Sequence, residues 1–251
     1  MLLGDPVEHS RSPRIFARAF ALLGIDAVYA PCRVTDLPAA VAGLRALGIS
    51  GFNATVPHKE AVARLCDRLE PAAARMGAVN CVDAAFGGHN TDVAGLLRAL
   101  EDFGKATMAP AVVLGAGGAA RAAAFALPGC SILNRSSERA AALAHDLGVR
   151  VGGAADLAEA RLVVNCTTVG LLDDSMPLDV ATLRPDATLV DLVYRGATGE
   201  TALVRAARAR GLRAIDGLSV LVNVAIASLE IWLHRADLRS LYEPLREAAL
   251  A

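Results

Sequence analysis

Two stretches of this 251-residue chain combine residue types and spacings that could carry chemistry. The first is "AVVLGAGGAARAAAFAL" at 111–127, an apolar run followed by Gly115, Gly117 and Ala120 in the spacing GxGxxA and then a helical stretch. In that context Gly115 permits a tight turn, Gly117 lets the backbone approach a pyrophosphate, and the small Ala120 lets helix and strand pack closely. The helix N-terminus then faces the phosphates. A bare GxGxxA is a common glycine-rich turn, but between a strand and a helix, with another strand following, it reads as a dinucleotide cradle. The second stretch is "NATVPHKE" at 53–60. Its β-like "NAT", then Pro57, then the helical period of "KEAVARLCDRLE" put Lys59 on a strand-to-helix turn. Side chains there are presented to solvent or to a cleft by rigid neighbours, so Lys59 is either a functional cation or a solvated first-turn lysine.

The strand after the cradle, "CSILNR", ends where NAD-binding proteins place an acid to hold the ribose 2′-hydroxyl. This chain has Asn134, Arg135 and Ser136 there, with Arg139 one turn along. An acid would repel a 2′-phosphate, whereas a guanidinium grips it in a bidentate way, which selects NADP.

The elements that must position these groups alternate along the chain, as βαβ units around parallel sheets do. Strands are expected near "LLG", "AVYAPCR", "SGFNAT", "AVNCVDAA", "AVVLG", "CSILNR", "LVVNCT", "ATLVDLV" and "LRAID". Between them lie helical runs such as "SPRIFARAFALLG", "LPAAVAGLRALG", "DVAGLLRALEDFG" and "SSERAAALAHDLG", each ending in a glycine that can stop a helix. "GGHN" at 87–90 suits a turn between antiparallel strands, and "GKATMAP" at 104–110 suits a break between two α/β lobes. "GLSVLVNVAIASLEIW" is apolar nearly all round from Leu218 to Ile226, which marks a buried helix.

Composition narrows the classes further. With 25 basic against 26 acidic residues and a formal charge of -1, the chain carries no electrostatic footprint for nucleic acid or an anionic membrane. Its five cysteines (32, 66, 81, 130 and 166) are odd in number, with no CxxC pair or zinc spacing, and read as reduced thiols of a cytoplasmic protein. "MLLGDP" meets an acid at Asp5 and has no basic segment before an apolar run, so no signal peptide is expected, and no uninterrupted apolar stretch reaches membrane-spanning length.

The N-terminal half carries "GDPVEHSRSP" (4–13), "NATVPHKE" (53–60), "AVNC" (78–81) and "NTDVAG" (90–95), each polar at an element junction. Together with "GAGGAAR", "NRSSERA", "NCTTVG" and "DLVY", in this order and spacing, they resemble the shikimate dehydrogenase family from Gly4 to about Trp232. The resemblance implies a two-lobed α/β fold: a substrate-binding and catalytic domain over 1–93, an NADP-binding Rossmann domain over 94–216, and C-terminal helices over 217–251 that return to the first lobe. It implies that Ser10 and Ser12 hold a substrate carboxylate, that Asn53, Thr55, Asn80 and Tyr194 bind the carboxylate or ring hydroxyls, and that Lys59 and Asp92 are the catalytic pair. Cofactor contacts fall on Gly115, Gly117, Gly118, Ala119, Asn134, Arg135, Ser136, Arg139, Thr167 and Gly217. Taken singly, Ser12 before Pro13 could be only a helix cap, Asn80 a turn residue, and Asp92 the cap of "VAGLLRAL". His9 and His58 read as structural.

The implied activity is reversible reduction of 3-dehydroshikimate to shikimate with NADP, in aromatic amino acid biosynthesis, by a monomer or homodimer that needs no metal. Hydride transfer to a ketone leaves negative charge on its oxygen, which a lysine can neutralise and protonate while Asp92 orients the ammonium. The match departs at Val224, where the family has a glutamine that reaches a substrate hydroxyl. It departs also at Ser219 and Val220, in place of glycine and methionine, and at Cys81, in place of threonine. A paralogue acting on quinate, an aminoshikimate or another cyclohexane carboxylate therefore stays open, as does a non-catalytic NADP sensor.

Overall fold

The computed structural model describes residues 1–104, 109–195 and 198–251, so most of the break expected at 104–110 lies outside the described residues. The chain divides into two units, one of residues 1–95 with 222–249 and 251, the other of 96–221 with 250.

The first unit runs β1 (Leu2–Gly4), α1 (Ser12–Leu23), β2 (Pro31–Arg33), α2 (Leu37–Ala46), β3 (Gly51–Ala54), α3 (Lys59–Ala63), β4 (Arg68–Leu69), α4 (Pro71–Met76), β5 (Cys81–Asp83), β6 (Gly87–His89) and the start of α5 (Asp92–Asp102). Its sheet has the order β2-β1-β3-β5-β6-β4. β1 pairs in parallel with β2 and β3, whereas β5 is antiparallel to both β3 and β6. In α1, Pro13 suits the first turn, Ile15, Phe16 and Ala19 are buried at helical spacing, and Gly24 ends the helix at φ 65°. One core gathers Leu3, Val41, Phe52, Val62, Val79 and Val82.

Two local expectations fail here. The helical period of "KEAVARLCDRLE" ends at Ala63, and Arg68–Leu69 instead form a strand paired with Gly87 and Gly88. "GGHN" is not the hairpin turn, because Gly87–His89 is the return strand and the turn falls at 84–86, with Phe86 at φ 55°. These glycines serve close approach: a Cβ on Gly88 would lie 2.7 Å from Leu69 Cδ2 and 2.8 Å from Cys66 Sγ.

The second unit continues with β7 (Ala111–Leu114), α6 (Gly118–Ala126), β8 (Ser131–Leu133), α7 (Ser137–Leu147), β9 (Arg150–Val151), α8 (Ala154–Glu159), β10 (Leu162–Asn165), β11 (Thr188–Asp191), α9 (Ala202–Ala209), β12 (Arg213–Ile215) and the start of α10 (Gly217–Trp232). Its sheet is parallel in the order β12-β11-β10-β7-β8-β9. β7, β10 and β11 are buried at every residue, as apolar strands covered on both faces must be. The strand order reverses at β7, which pairs with β10 on one side and β8 on the other.

The division between units falls within α10, between Leu221 and Val222. In the second unit the helix starts hard against the chain after β11, since a Cβ on Gly217 would lie 2.6 Å from the Val193 carbonyl oxygen. In the first it ends at Trp232, whose Nε1 donates to the Val82 carbonyl at 3.0 Å. After a short 3-10 turn at Leu238–Leu241, α11 (Tyr242–Leu250) closes the chain. Among the described residues no helix is long and apolar enough to cross a membrane.

Candidate active site

The registers of the first unit bring its polar motifs to one edge of the sheet. Asn53, near the end of β3, lies opposite Cys81 at the start of β5, and Cys81 lies opposite His89 at the end of β6. The segments that follow β1, β3 and β6, and the one that precedes β5, therefore emerge together. Thr55, Lys59, Asn80 and Asp92 belong to them.

Lys59 opens α3, and its carbonyl accepts from the Val79 amide at 2.9 Å, which ties the lysine's backbone to the residue before Asn80. Its Nζ donates to Asp92 Oδ2 at 2.5 Å, with the two side chains only 12% and 15% exposed. The other Asp92 oxygen accepts from Asn80 Nδ2 at 2.9 Å. Asn80 is itself fixed, because its Oδ1 accepts from the Thr91 amide at 2.7 Å and its Nδ2 also donates to Thr91 Oγ1 at 3.1 Å. A cation oriented by a carboxylate, with the carboxylate oriented by an amide, can neutralise and protonate an oxygen that gains charge.

Behind the pair lies a buried frame that sequence reasoning missed. Asn53 Oδ1 accepts from the Tyr29 hydroxyl at 2.8 Å, and its Nδ2 donates to the Asn80 carbonyl at 2.9 Å and to Ser228 Oγ at 3.0 Å. Ser228 also bonds Thr91 Oγ1 at 3.2 Å. The side-chain amides of Asn53 and Asn80 thus both bond protein partners. For Ser228 and Thr91 the sequence offers only faint signals: the first is a hydroxyl in a largely apolar helical run and the second the middle of "NTD", and neither shows its partners.

Ser10 and Ser12 stand at the start of α1, where the Ser12 amide donates to Ser10 Oγ at 3.2 Å. That leaves the Ser10 proton to donate. The first turn of α1 holds no acid, so the positive end of its dipole is not neutralised, although its first amides are already bonded to Ser10 Oγ and the Arg11 carbonyl. Thr55 follows β3, close enough that a Cβ on Gly4 would lie 2.5 Å from its Cγ2. His58 Nε2 hydrogen-bonds the Val34 carbonyl at 2.9 Å in the interior, a structural role.

In the second unit the glycine cradle joins β7 to α6. Gly115 has φ 111°, and a Cβ there would lie 3.1 Å from the Cys166 carbonyl oxygen; Gly117 caps α6 without a side chain, and the space beside it is open. The first amides of α6, at Gly118 and Ala119, are thereby left for a phosphate. After β8, Asn134 Nδ2 donates to the Ser136 carbonyl at 3.0 Å and Ser136 Oγ caps α7 through the Arg139 amide. Arg135 is exposed, while Arg139 donates to the Ala116 carbonyl at 3.3 Å and so links clamp to cradle. These residues fit a phosphorylated dinucleotide. Thr167 follows β10, with its Oγ1 donating to Asn165 Oδ1 at 2.7 Å, and half-buried Tyr194 follows β11. Among the described residues no three His, Cys, Asp or Glu are grouped to hold a metal.

A parallel sheet with a glycine cradle at its reversal point, in a chain that also builds a half-buried lysine–carboxylate pair, defines a dinucleotide-binding α/β protein of the dehydrogenase type. The comparisons narrow this class. Residues 2–82 match the shikimate dehydrogenase substrate binding domain. The chain is 43% identical to a shikimate dehydrogenase (NADP(+)) of Anaeromyxobacter sp. (strain Fw109-5), over all of this chain and 94% of that one. Among solved structures, shikimate 5-dehydrogenase from Thermus thermophilus in complex with NADP(H) and shikimate superposes with a TM-score of 0.88 at 38% identity, covering 99% of this chain and 97% of that one. Quinate dehydrogenase from Corynebacterium glutamicum in complex with NAD superposes with a TM-score of 0.85 at 29% identity, over 99% and 97% of the two chains. The chain belongs to the shikimate dehydrogenase family.

Proposed function

We propose that this chain is an NADP-dependent shikimate dehydrogenase that interconverts 3-dehydroshikimate and shikimate in the cytoplasm, as a monomer or homodimer. The observation that carries the reading is the half-buried Lys59–Asp92 pair held by Asn80. The unit containing residues 1–95 and 222–249 takes the substrate, and the unit of residues 96–221 takes the cofactor.

Bound NADPH supplies the hydride. Lys59 neutralises the charge that develops on the substrate oxygen and delivers its proton to that atom. Asp92 orients the ammonium, and Asn80 holds Asp92. Ser10, Ser12, Thr55 and Tyr194 hold the carboxylate or ring hydroxyls; Asn53 supports Asn80 from behind. The cradle amides at Gly117, Gly118 and Ala119 take the pyrophosphate, while Gly115, whose own amide donates to the Leu133 carbonyl at 2.8 Å, makes the turn that lets it approach. Arg135 and Arg139, with Asn134 and Ser136, take the 2′-phosphate, and Thr167 and Gly217 face the remainder.

A second reading, a quinate or aminoshikimate dehydrogenase, is favoured by Val224, a half-buried apolar residue of α10. Initial rates with NADP and NAD against shikimate, quinate and aminoshikimate decide between them. The first reading expects the highest kcat/KM with shikimate and NADP. Preference for another acid favours the second, and no turnover with any of them contradicts both.

A further inference from the structure

The carboxyl edge of the second unit's sheet contains a buried acid to which the proposed reaction gives no role. Asp191, the last residue of β11, is 0% exposed and lies directly opposite Asn165, the last residue of β10. Its Oδ1 accepts from Asn165 Nδ2 at 2.8 Å and from the Val193 amide at 3.1 Å, and its Oδ2 accepts from Thr201 Oγ1 at 2.5 Å. Thr201 in turn caps α9 by accepting from the Val204 amide at 3.2 Å. On the other side, Asn165 Oδ1 takes both the amide and the hydroxyl of Thr167, whose oxygen accepts from the Val169 amide at 3.2 Å.

One carboxylate thus fastens the segment after β10, the segment after β11 and the start of α9. The contact extends to its neighbours. The first segment abuts the cradle through the Cys166 carbonyl beside Gly115, and the second abuts the start of α10 through the Val193 carbonyl beside Gly217. Burial pushes the Asp191 carboxyl above the ordinary range, while donors from Thr201, Val193 and Asn165 pull it back. A buried acid is costly unless its hydrogen bonds are complete, and simple packing would be served by an apolar residue.

The strand order states which half of a dinucleotide this edge meets. The clamp for the 2′-phosphate follows β8, on one side of β7, whereas β10, β11 and β12 lie on the other. A dinucleotide crosses the sheet at the strand where the order reverses. With its pyrophosphate on the β7 cradle and its adenosine half toward β8, its nicotinamide half extends over β10 and β11.

We propose that Asp191 is a positioning residue for the nicotinamide half of the cofactor, acting by holding the 166–170 and 192–195 segments in one arrangement. The proposal rests on the NADP assignment above. Asp191→Asn keeps the shape but removes the charge: turned toward Asn165 and the Val193 amide its NH2 loses two hydrogen bonds, and turned toward Thr201 it meets a hydroxyl that must reverse, which replaces a charge-assisted bond by a neutral one. Thr201→Val removes the donor to Asp191, and with it the cap on α9, at constant size, and serves if Asp191→Asn does not fold.

The test combines calorimetric titration of the full chain with NADP and with 2′,5′-ADP, which lacks the nicotinamide half, and amide hydrogen exchange without ligand. In either variant, NADP binding is expected to weaken about tenfold, the scale of one charge-assisted hydrogen bond, while 2′,5′-ADP binds as to wild type. Residues 166–170 and 192–195 exchange faster together. A variant that is less stable yet binds NADP as wild type does, with unchanged exchange in both segments, overturns the proposal. Equal weakening of both ligands also overturns it. A wild-type chain that binds neither ligand removes the NADP assignment and this inference with it.

Discussion

Asp92 divides its two oxygens between Lys59 and Asn80, so the pair's geometry depends on a carboxylate that accepts on both sides. Asp92→Asn must turn its NH2 toward one of two donors. It should lower kcat for shikimate, less severely than loss of the lysine, and a kcat equal to wild type would show that the carboxylate is dispensable. On the cofactor side, Arg135→Ala should raise KM for NADP by roughly ten- to a hundredfold and leave KM for NAD nearly unchanged, because only the 2′-phosphate loses a charge-assisted contact of about 1.5–3 kcal/mol. Equal losses for both cofactors would remove the clamp assignment. Among the thiols, burial pushes Cys81 up to about 12 and Cys66 and Cys130 up to about 11. The thiolate is the reactive form, so these three should stay unmodified by iodoacetamide at pH 8 in the native chain and react once it is unfolded. Mass spectrometry of the alkylated chain checks this, and rapid native labelling of Cys81 would contradict its burial.

At the scale of elements, α10 shows what local pattern can and cannot reveal. Its all-round apolar character marks it as buried, but nothing local says that Trp232 would dock on Gly51, where a Cβ would lie 2.6 Å from the indole nitrogen at φ 158°. Gly51→Ala should therefore destabilise the chain by about 1–3 kcal/mol and shift the emission of the one tryptophan. An unchanged melting midpoint and spectrum would contradict that packing. In the second unit β7, β10 and β11 were readable because each is a continuous apolar run covered on both faces, whereas the exposed pair Arg150–Val151 of β9 was not. β4 was not, since two residues cannot show a period, and Leu65 and Leu69 extend the helical spacing of α3 although Leu65 lies in the turn after it and Leu69 in β4. Glycine misled at 87–88 because its usual meaning, a turn, gave way to close packing against Leu69 and Cys66. The residues that touch ligands in the proposed function were readable as motifs. Their supports, Tyr29, Thr91, Ser228 and Asp191, were not, because a buried polar residue declares its role only through partners distant in sequence.

For the whole molecule, the two units carry different duties under the proposed function, and ligands should reveal the division. NADP at about a hundredfold its Kd should add about 2.7 kcal/mol to the stability of the part that binds it. Its protection against hydrogen exchange should concentrate at 115–119, 134–139 and 165–170, and protection confined to residues 1–95 would reverse the assignment. Relatives and solved structures at 38–43% identity over nearly the full length place the chain in its family, while Val224 leaves the choice of acid to experiment. The account as a whole depends on Lys59 acting on the substrate. The direct measurement is the initial rate of shikimate oxidation with NADP by wild type and by Lys59→Ala, with the NADP Kd of each taken by titration. The account predicts a kcat lower by about 10²–10⁴-fold in the variant, the usual contribution of a positioned acid or base, with NADP binding unchanged. A Lys59→Ala protein that turns over shikimate at the wild-type rate would contradict it.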